Sequence, residues 1–137
     1  MTGRVRGVGG IFLRSQRPEA LASWYQRHLG FDLEADGAVT VFPWQEAGAR
    51  APGSTTWAIL EPDSRLLREA NADAVVNYCV ENLIALVERL RQEGITIEME
   101  PQSNPHGCFA WIRDLENRRV ELWEPPAEEP SAPSPGV

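Results

Sequence analysis

Two stretches decide the fold: PEALASWYQRHLGFDLE over residues 18–34 and NLIALVERLRQEGITIE over residues 82–98. Each has the apolar spacing of an amphipathic helix, followed by a glycine and a short apolar segment. Gly30 and Gly94 set the register, and at this offset of 64 residues the flanking strands align as well. A repeated unit of this size cannot bury its apolar face alone. The two copies are therefore expected to pack together and leave a concave surface between them.

Outward from the repeat, alternating apolar residues predict the order β-α-β-β-β twice. The predicted strands are 8–14, 31–34, 39–44 and 55–60, then 75–80, 95–99, 109–113 and 119–123. The expected fold class is α+β, with two βαβββ modules that form a half-open, barrel-like curved sheet with the helices outside. The first module spans 1–61, a linker with one helical turn spans 62–73, and the second module spans 74–125. Residues 126–137 are rich in proline and predict a disordered tail.

Composition excludes several classes of partner. The 137 residues carry a formal charge of −7, which disfavours nucleic acid and anionic membrane surfaces. No apolar run is long enough to cross a membrane. Cys79 and Cys108 lack metal-site spacing, which favours reduced thiols and a cytoplasmic location. The glycines before the first strand do not match a dinucleotide motif, so no cofactor is expected.

Two segments resemble the vicinal oxygen chelate superfamily, which includes glyoxalase I, extradiol dioxygenases, fosfomycin-resistance proteins and bleomycin-binding proteins. The first is the pair Trp24-Tyr25 followed by Leu29-Gly30-Phe31, and the second is FAWIRDLENRRVELWEP at residues 109–125. Leu115 and Asn117 stand in the second segment where this superfamily commonly has Pro and Gly. The resemblance covers residues 8–125.

The resemblance implies one divalent metal held by four side chains, on the first and last strands of each module. Gly10 falls at the first of these positions and has no side chain to offer. The matching strand of the second module offers 74–76, which are Ala and Val, and the last strand of the first offers 55–57. Only Glu121 fits a ligand position. One carboxylate does not hold a metal against water, so we predict no metal site.

Glu121 and His106 are the candidate catalytic residues. Glu121 alternates with apolar neighbours and should face the concave surface, either as an acid or base with a raised pKa or paired with Arg14. His106 lies in a predicted surface loop, where it is either a general acid or base or an ordinary turn residue. The candidate ligand-binding residues are Phe12, Arg14, Trp44, Trp57, Asn77 and Trp123. Trp24 is expected in the core beneath the first helix.

These residues support several functions. The first hypothesis is a metal-independent, glyoxalase-like protein that binds a small organic molecule in an aromatic cleft. The alternative is a lyase or dioxygenase-type enzyme of the same superfamily that uses Glu121 and His106. A third is an interaction module. A homodimer is expected because exposed sheet edges favour closed two-fold pairing.

Overall fold

The computed structural model describes residues 3–34, 37–44, 53–68, 70 and 72–126. The strands are β1 (Arg4–Arg14), β2 (Val39–Trp44), β3 (Gly53–Leu60), β4 (Ala74–Glu81), β5 (Ile97–Asn104), β6 (Gly107–Arg113) and β7 (Arg119–Glu124). The helices are α1 (Pro18–Leu29), α2 (Arg65–Arg68) and α3 (Leu83–Gln92). The predicted tail lies outside the described residues, except for Pro126.

The described strands form one mixed, curved sheet of seven strands in the order β2-β3-β1-β4-β7-β6-β5. At its centre β1 and β4, the first strands of the two predicted modules, are antiparallel neighbours. On either side, β1 pairs in parallel with β3, and β4 pairs in parallel with β7. The predicted α+β class is confirmed, and the last strand of each repeat lies beside its first strand.

The two faces of the sheet bury different clusters. The outer face carries α1 over Trp57 and Ile59, and α3 over Ala110 and Leu122. The inner face carries a third cluster of buried side chains: Phe12, Ala58, Leu66, Leu67, Val75, Cys79, Met99, Phe109, Trp111 and Trp123. Leu66 and Leu67 belong to α2, so the short linker helix covers the inner face. The inner face is therefore a packed core beneath α2, where an open cleft was expected.

The repeated glycines end the helices as the sequence predicts. Gly30 adopts a left-handed conformation at φ 72° and its N–H bonds the carbonyl of Gln26. Gly94 has φ 83° and follows α3. A residue with a Cβ is strained in this region of backbone space, which is why glycine is preferred at such helix ends.

Two predicted elements differ from the structure. Residues 31–34 do not form a strand, although Glu34 N–H bonds the carbonyl of Val39 and Thr40 Oγ1 bonds that of Asp32. The predicted loop at 101–107 is shorter, because β5 continues to Asn104. β5 is the edge strand of the sheet, and an edge strand tolerates a proline such as Pro101, which lacks an N–H.

The predicted apolar stripe of α1 is only partly buried. Ala22 is buried and Tyr25 packs on Trp57 with ring centroids 4.7 Å apart. Trp24 is 48% exposed and Leu29 is 57% exposed, so the expectation that Trp24 fills the core is wrong. Helical spacing places Trp24 and Leu29 on the predicted apolar stripe. The face of α1 that is buried against the sheet is narrower than this stripe and centres on the small residue Ala22.

Candidate functional site

One residue from each strand forms a row across the inner face, which we call the central row. In order from β2 to β5 its members are Val41, Thr56, Gly10, Asn77, Glu121, Trp111 and Met99. Thr56, Asn77 and Glu121 are the polar members, and all three are buried. Strand alternation places them on the face opposite α1 and α3. The row therefore brings the polar side chains of both modules into one buried line beneath α2.

Glu121 is the titratable centre of this row. Its side chain is 0% exposed, and Oε1 accepts a hydrogen bond from Asn77 Nδ2 at 2.7 Å. Oε2 accepts one from Trp111 Nε1 at 2.8 Å. Burial raises the pKa of Glu121 to about 7, although both hydrogen bonds and the charge of Arg119 favour the ionised form. A carboxyl group with this pKa can give or take a proton near neutral pH.

Within the part of the chain that the structure describes, Thr56 Oγ1 and Asn77 Oδ1 of the central row are buried and have no hydrogen-bond partner. Thr56 is 2% exposed and Asn77 is 0% exposed. An unsatisfied buried polar group costs about 1–3 kcal/mol relative to a bonded one. Native interiors contain few such atoms, so finding two of them on one row needs a physical explanation.

The Phe12 ring occupies the middle of the row. A Cβ built on Gly10 would lie 2.7 Å from Cζ of Phe12, closer than real Cβ contacts allow. Gly9 likewise lets the side chains of Asn77 and Trp123 come close to the backbone of β1, since a Cβ built on Gly9 would lie within 3 Å of both. At the first-strand position where the resemblance implies a ligand, glycine therefore makes room for an aromatic ring.

Arg119 connects α2 to the inner face of the sheet. Its guanidinium bonds both carboxylate oxygens of Glu98 at 2.8 Å and the carbonyl of Leu66 at 2.8 Å. It also stacks 4.0 Å from the centroid of the Trp111 ring. The hydrogen bond from Arg119 has the largest influence on the pKa of Glu98 and, together with that from Arg113, holds this pKa below its usual range although burial opposes them. Arg119 was not among the residues expected at the site, although Arg119 and Glu121 are two residues apart on β7 and so share one face.

The structure brings together four of the predicted site residues. Phe12, Asn77, Glu121 and Trp123 all lie on the inner face and are buried. The indole N–H of Trp123 donates to the carbonyl of His106 at 2.8 Å. The side chain of His106 itself is exposed, and no described contact joins it to Glu121.

The remaining predicted residues lie elsewhere. Trp57 packs beneath α1 against Tyr25 and Phe31 on the outer face, so its expected position in the cleft is wrong. The register of β3 against β1 turns Thr56 inward and its neighbour Trp57 outward. Trp44 is half-buried at the end of β2, where its indole N–H donates to Thr55 Oγ1.

The expected ion pair between Arg14 and Glu121 is also wrong. The guanidinium of Arg14 lies 3.7 Å from the carboxylate of Asp73. Glu121 is two strands away across the sheet and is bonded by Asn77 and Trp111. The ion-pair partner of Arg14 is therefore the linker residue Asp73, and the alternative in which Glu121 pairs with Arg14 is wrong.

Comparison with protein families decides the classification. Residues 7–122 match the family described as the Glyoxalase/Bleomycin resistance protein/Dioxygenase superfamily. The chain belongs to this superfamily. The match spans both predicted modules and includes every member of the central row. No curated protein matches the chain.

Solved structures show the same fold at low identity. Methylmalonyl-CoA epimerase from Mycobacterium tuberculosis is 19% identical, with TM-score 0.57, over 90% of this chain and 91% of that one. The Streptomyces coelicolor epimerase in complex with 2-nitronate-propionyl-CoA is 15% identical, with TM-score 0.65, over 90% and 100%. A Legionella pneumophila protein described as an NAD-dependent benzaldehyde dehydrogenase is 12% identical, with TM-score 0.56, over 85% and 98%. At these identities the likeness concerns the fold alone.

The residues of the central row do not fit the divalent metal that membership of the superfamily implies. Gly10 has no side chain, Thr56 and Asn77 offer neutral oxygens, and both Glu121 oxygens accept N–H groups. In the described part of the chain, no three His, Cys, Asp or Glu side chains come together as a metal site requires. Over the same residues, no helix is long and apolar enough to cross a membrane.

Proposed function

We propose that this superfamily member binds a small organic molecule on its inner face without a resident metal. One observation carries the proposal: among the described residues Thr56 Oγ1 and Asn77 Oδ1 are buried without hydrogen-bond partners, and Asn77 also bonds the carboxyl group of Glu121. A bound molecule that satisfies these atoms recovers the free energy that their burial costs. Aromatic side chains with a few convergent polar groups are the usual lining of small-molecule sites.

The linker helix α2 supports a route to this site. It has four residues, and its buried Leu66 and Leu67 cover the inner face, whereas the outer face is covered by longer helices. Arg119 bonds the carbonyls of Leu66 and Arg65. The Arg65 guanidinium reaches Met99 Sδ and lies 4.9 Å from the centroid of the Trp111 ring. In the proposal α2 moves aside for the ligand, because it is the shortest helix of the described residues and lies over the inner face.

The test is a search for a ligand in the purified protein. Native mass spectrometry of protein prepared without chelators is expected to show a mass above that of the chain, lost on denaturation. Elemental analysis of the same sample is expected to show less than one divalent ion per chain. A stoichiometric metal ion with no organic ligand overturns the proposal.

A second candidate function is an enzyme that uses Glu121 as acid or base, and the pKa of about 7 favours it. Methylmalonyl-CoA, named in the structure of a related epimerase, is one substrate to test. The enzyme hypothesis predicts exchange of the substrate α-proton with deuterium oxide, observed by NMR. Glu121→Gln should abolish this exchange. His106→Ala should reduce it only if His106 contributes, and loss in His106→Ala alone would contradict a central role for Glu121.

We also propose a homodimer in the cytoplasm. Trp24, Leu29 and Phe42 are each about half exposed or more, and Phe42 lies on the edge strand β2. Pairing with a second copy would bury this apolar surface. Both cysteines are free thiols, in keeping with a reducing compartment. Light scattering is expected to give twice the chain mass of 15.3 kDa, and Trp24→Glu to give the single mass.

A further inference from the structure

The unpartnered atoms of the central row indicate what a ligand must supply. Asn77 Oδ1 is a carbonyl oxygen and can only accept a hydrogen bond. Thr56 Oγ1 can accept one and donate one. Both are more than nine-tenths buried, so neither is satisfied by bulk water. The row therefore needs a hydrogen-bond donor more than it needs an acceptor.

The N–H donors around the row are already engaged. Asn77 Nδ2 and Trp111 Nε1 both donate to Glu121. The guanidinium of Arg119 bonds Glu98 and the carbonyls of α2. A carboxylate at Asn77 would face the acceptor Oδ1 and the neighbouring carboxyl group of Glu121, while the Thr56 hydroxyl lies two strands away on β3. Like charges and unpaired acceptors in a buried site are costly, so a carboxylate does not belong there.

We infer that the ligand presents uncharged hydrogen-bond donors, hydroxyl or carboxamide N–H groups, to Asn77 Oδ1 and, two strands away, to Thr56 Oγ1, and that the central row rejects carboxylates. This inference rests on the proposed small-molecule function and gives it a substrate class. The aromatic neighbours Phe12, Trp111 and Trp123 suit a flat or apolar ligand body. The Phe12 ring lies against Gly10, which stands between Thr56 and Asn77 in the strand order, and Asn77 Oδ1 lies against Gly9, so the donor groups enter beside the Phe12 ring.

Matched aromatic probes test the chemistry directly: benzyl alcohol, benzamide, toluene and benzoate. Their dissociation constants for the full chain are measured by ligand-observed NMR and by tryptophan fluorescence. The donor-bearing probes are expected to bind at least about tenfold tighter than benzoate, because binding benzoate must bury its charge next to acceptor oxygens. Phe12→Leu, which shortens the covering side chain, is expected to strengthen benzyl alcohol binding and leave the ranking unchanged.

Thr56→Val is the variant that isolates the hydroxyl. It is expected to weaken benzyl alcohol about two- to tenfold, the range of one neutral hydrogen bond, and to leave toluene binding unchanged. The matched control is Thr40→Val. Thr40 is 4% exposed, but its hydroxyl bonds the carbonyl of Asp32 and it belongs to no part of the central row. This control should lower the melting temperature without changing the affinity of any probe.

The outcomes separate the two proposals. If benzoate binds as tightly as benzyl alcohol, or Thr56→Val leaves all affinities equal, the substrate class is wrong while the binding site stands. If no probe binds to the natural chain or to Phe12→Leu, the inner-face site and the substrate class both fall. If Thr40→Val weakens benzyl alcohol as much as Thr56→Val, the effect is one of general stability and the assignment to Thr56 is overturned.

Discussion

The two halves of the sheet meet at one row and contribute to it unequally. The half formed by β2, β3 and β1 supplies Val41, Thr56 and Gly10. The polar side-chain atom of this half is Thr56 Oγ1, and no described residue bonds it. The half formed by β4, β7, β6 and β5 supplies Asn77, Glu121, Trp111 and Met99, with two hydrogen bonds to the carboxyl group. The repeat therefore preserves the turns and helix faces that build the fold, while the chemistry is concentrated in the second half.

The largest effect expected from this difference concerns Trp111. Trp111→Ala removes a ring that is 1% exposed and a hydrogen bond to Glu121, so we expect a loss of about 3–5 kcal/mol in the free energy of unfolding. Val41→Ala, in the first half of the same row, removes a smaller, half-buried side chain and should cost about 1 kcal/mol. Urea unfolding measures both. Equal losses would contradict the unequal division of the row.

The second prediction concerns the anchor of α2. Arg119→Ala leaves Glu98 with one of its two guanidinium partners and frees the carbonyl of Leu66, so we expect about 3 kcal/mol of destabilisation. Hydrogen exchange at residues 65–68 should become faster. Arg113→Ala is the matched control, because it bonds Glu98 but has no described bond to α2. Faster exchange in α2 after Arg113→Ala as well would show that the ion pair, not the contact with α2, is responsible.

The third prediction uses the pH dependence of Glu121. Its pKa rises from 4.5 to about 7 on folding, so the folded state binds its proton more tightly and stability falls as pH increases through this window. The free-energy advantage of Glu121→Gln over the natural chain should grow by on the order of 3 kcal/mol between about pH 4.5 and about pH 8. Chemical unfolding across this range is the measurement. A flat difference would mean that Glu121 is less buried than the structure places it.

The smallest effect concerns the gap at Gly10. Gly10→Ala places a Cβ against the Phe12 ring and should cost about 1–3 kcal/mol by overpacking. Phe12→Leu should recover much of that cost when combined with it, because the two residues share one space. A double-mutant cycle by thermal unfolding measures the coupling. Simple additivity would show that the ring of Phe12 does not fill the position that Gly10 leaves open.

Local patterns predicted the strands near the centre of the sheet and failed near its edges. Beyond the irregular pairing at Val8/Gly10, β1 alternates and pairs with β4, so the faces of Phe12 and Asn77 follow from the sequence. The segment 31–34 has strand-like residues but forms irregular contacts with β2, and β5 extends through Pro101 where a loop was expected. Edge segments have fewer neighbours to enforce regular pairing, so residue type alone describes them poorly.

For the candidate site, alternation correctly turned Phe12, Asn77 and Glu121 inward. The expectation that no metal binds, which came from the family positions, stays a prediction. Trp57 was placed on the wrong face because a one-residue change in register exchanges the two faces of a strand. The partner considered for Glu121, Arg14, was also wrong. Asn77 and Trp111 bond Glu121 from the strands on either side of β7, and this pairing follows from strand order, not from local sequence.

The repeat, the glycine turns and the apolar periodicity are local properties, and they were enough to establish the fold class. The central row, the cover formed by α2 and the anchoring role of Arg119 depend on contacts between residues far apart in the chain. Such contacts follow from strand register and from where the linker docks. Those features are set by the summed packing of the whole inner face, which no short stretch of sequence contains.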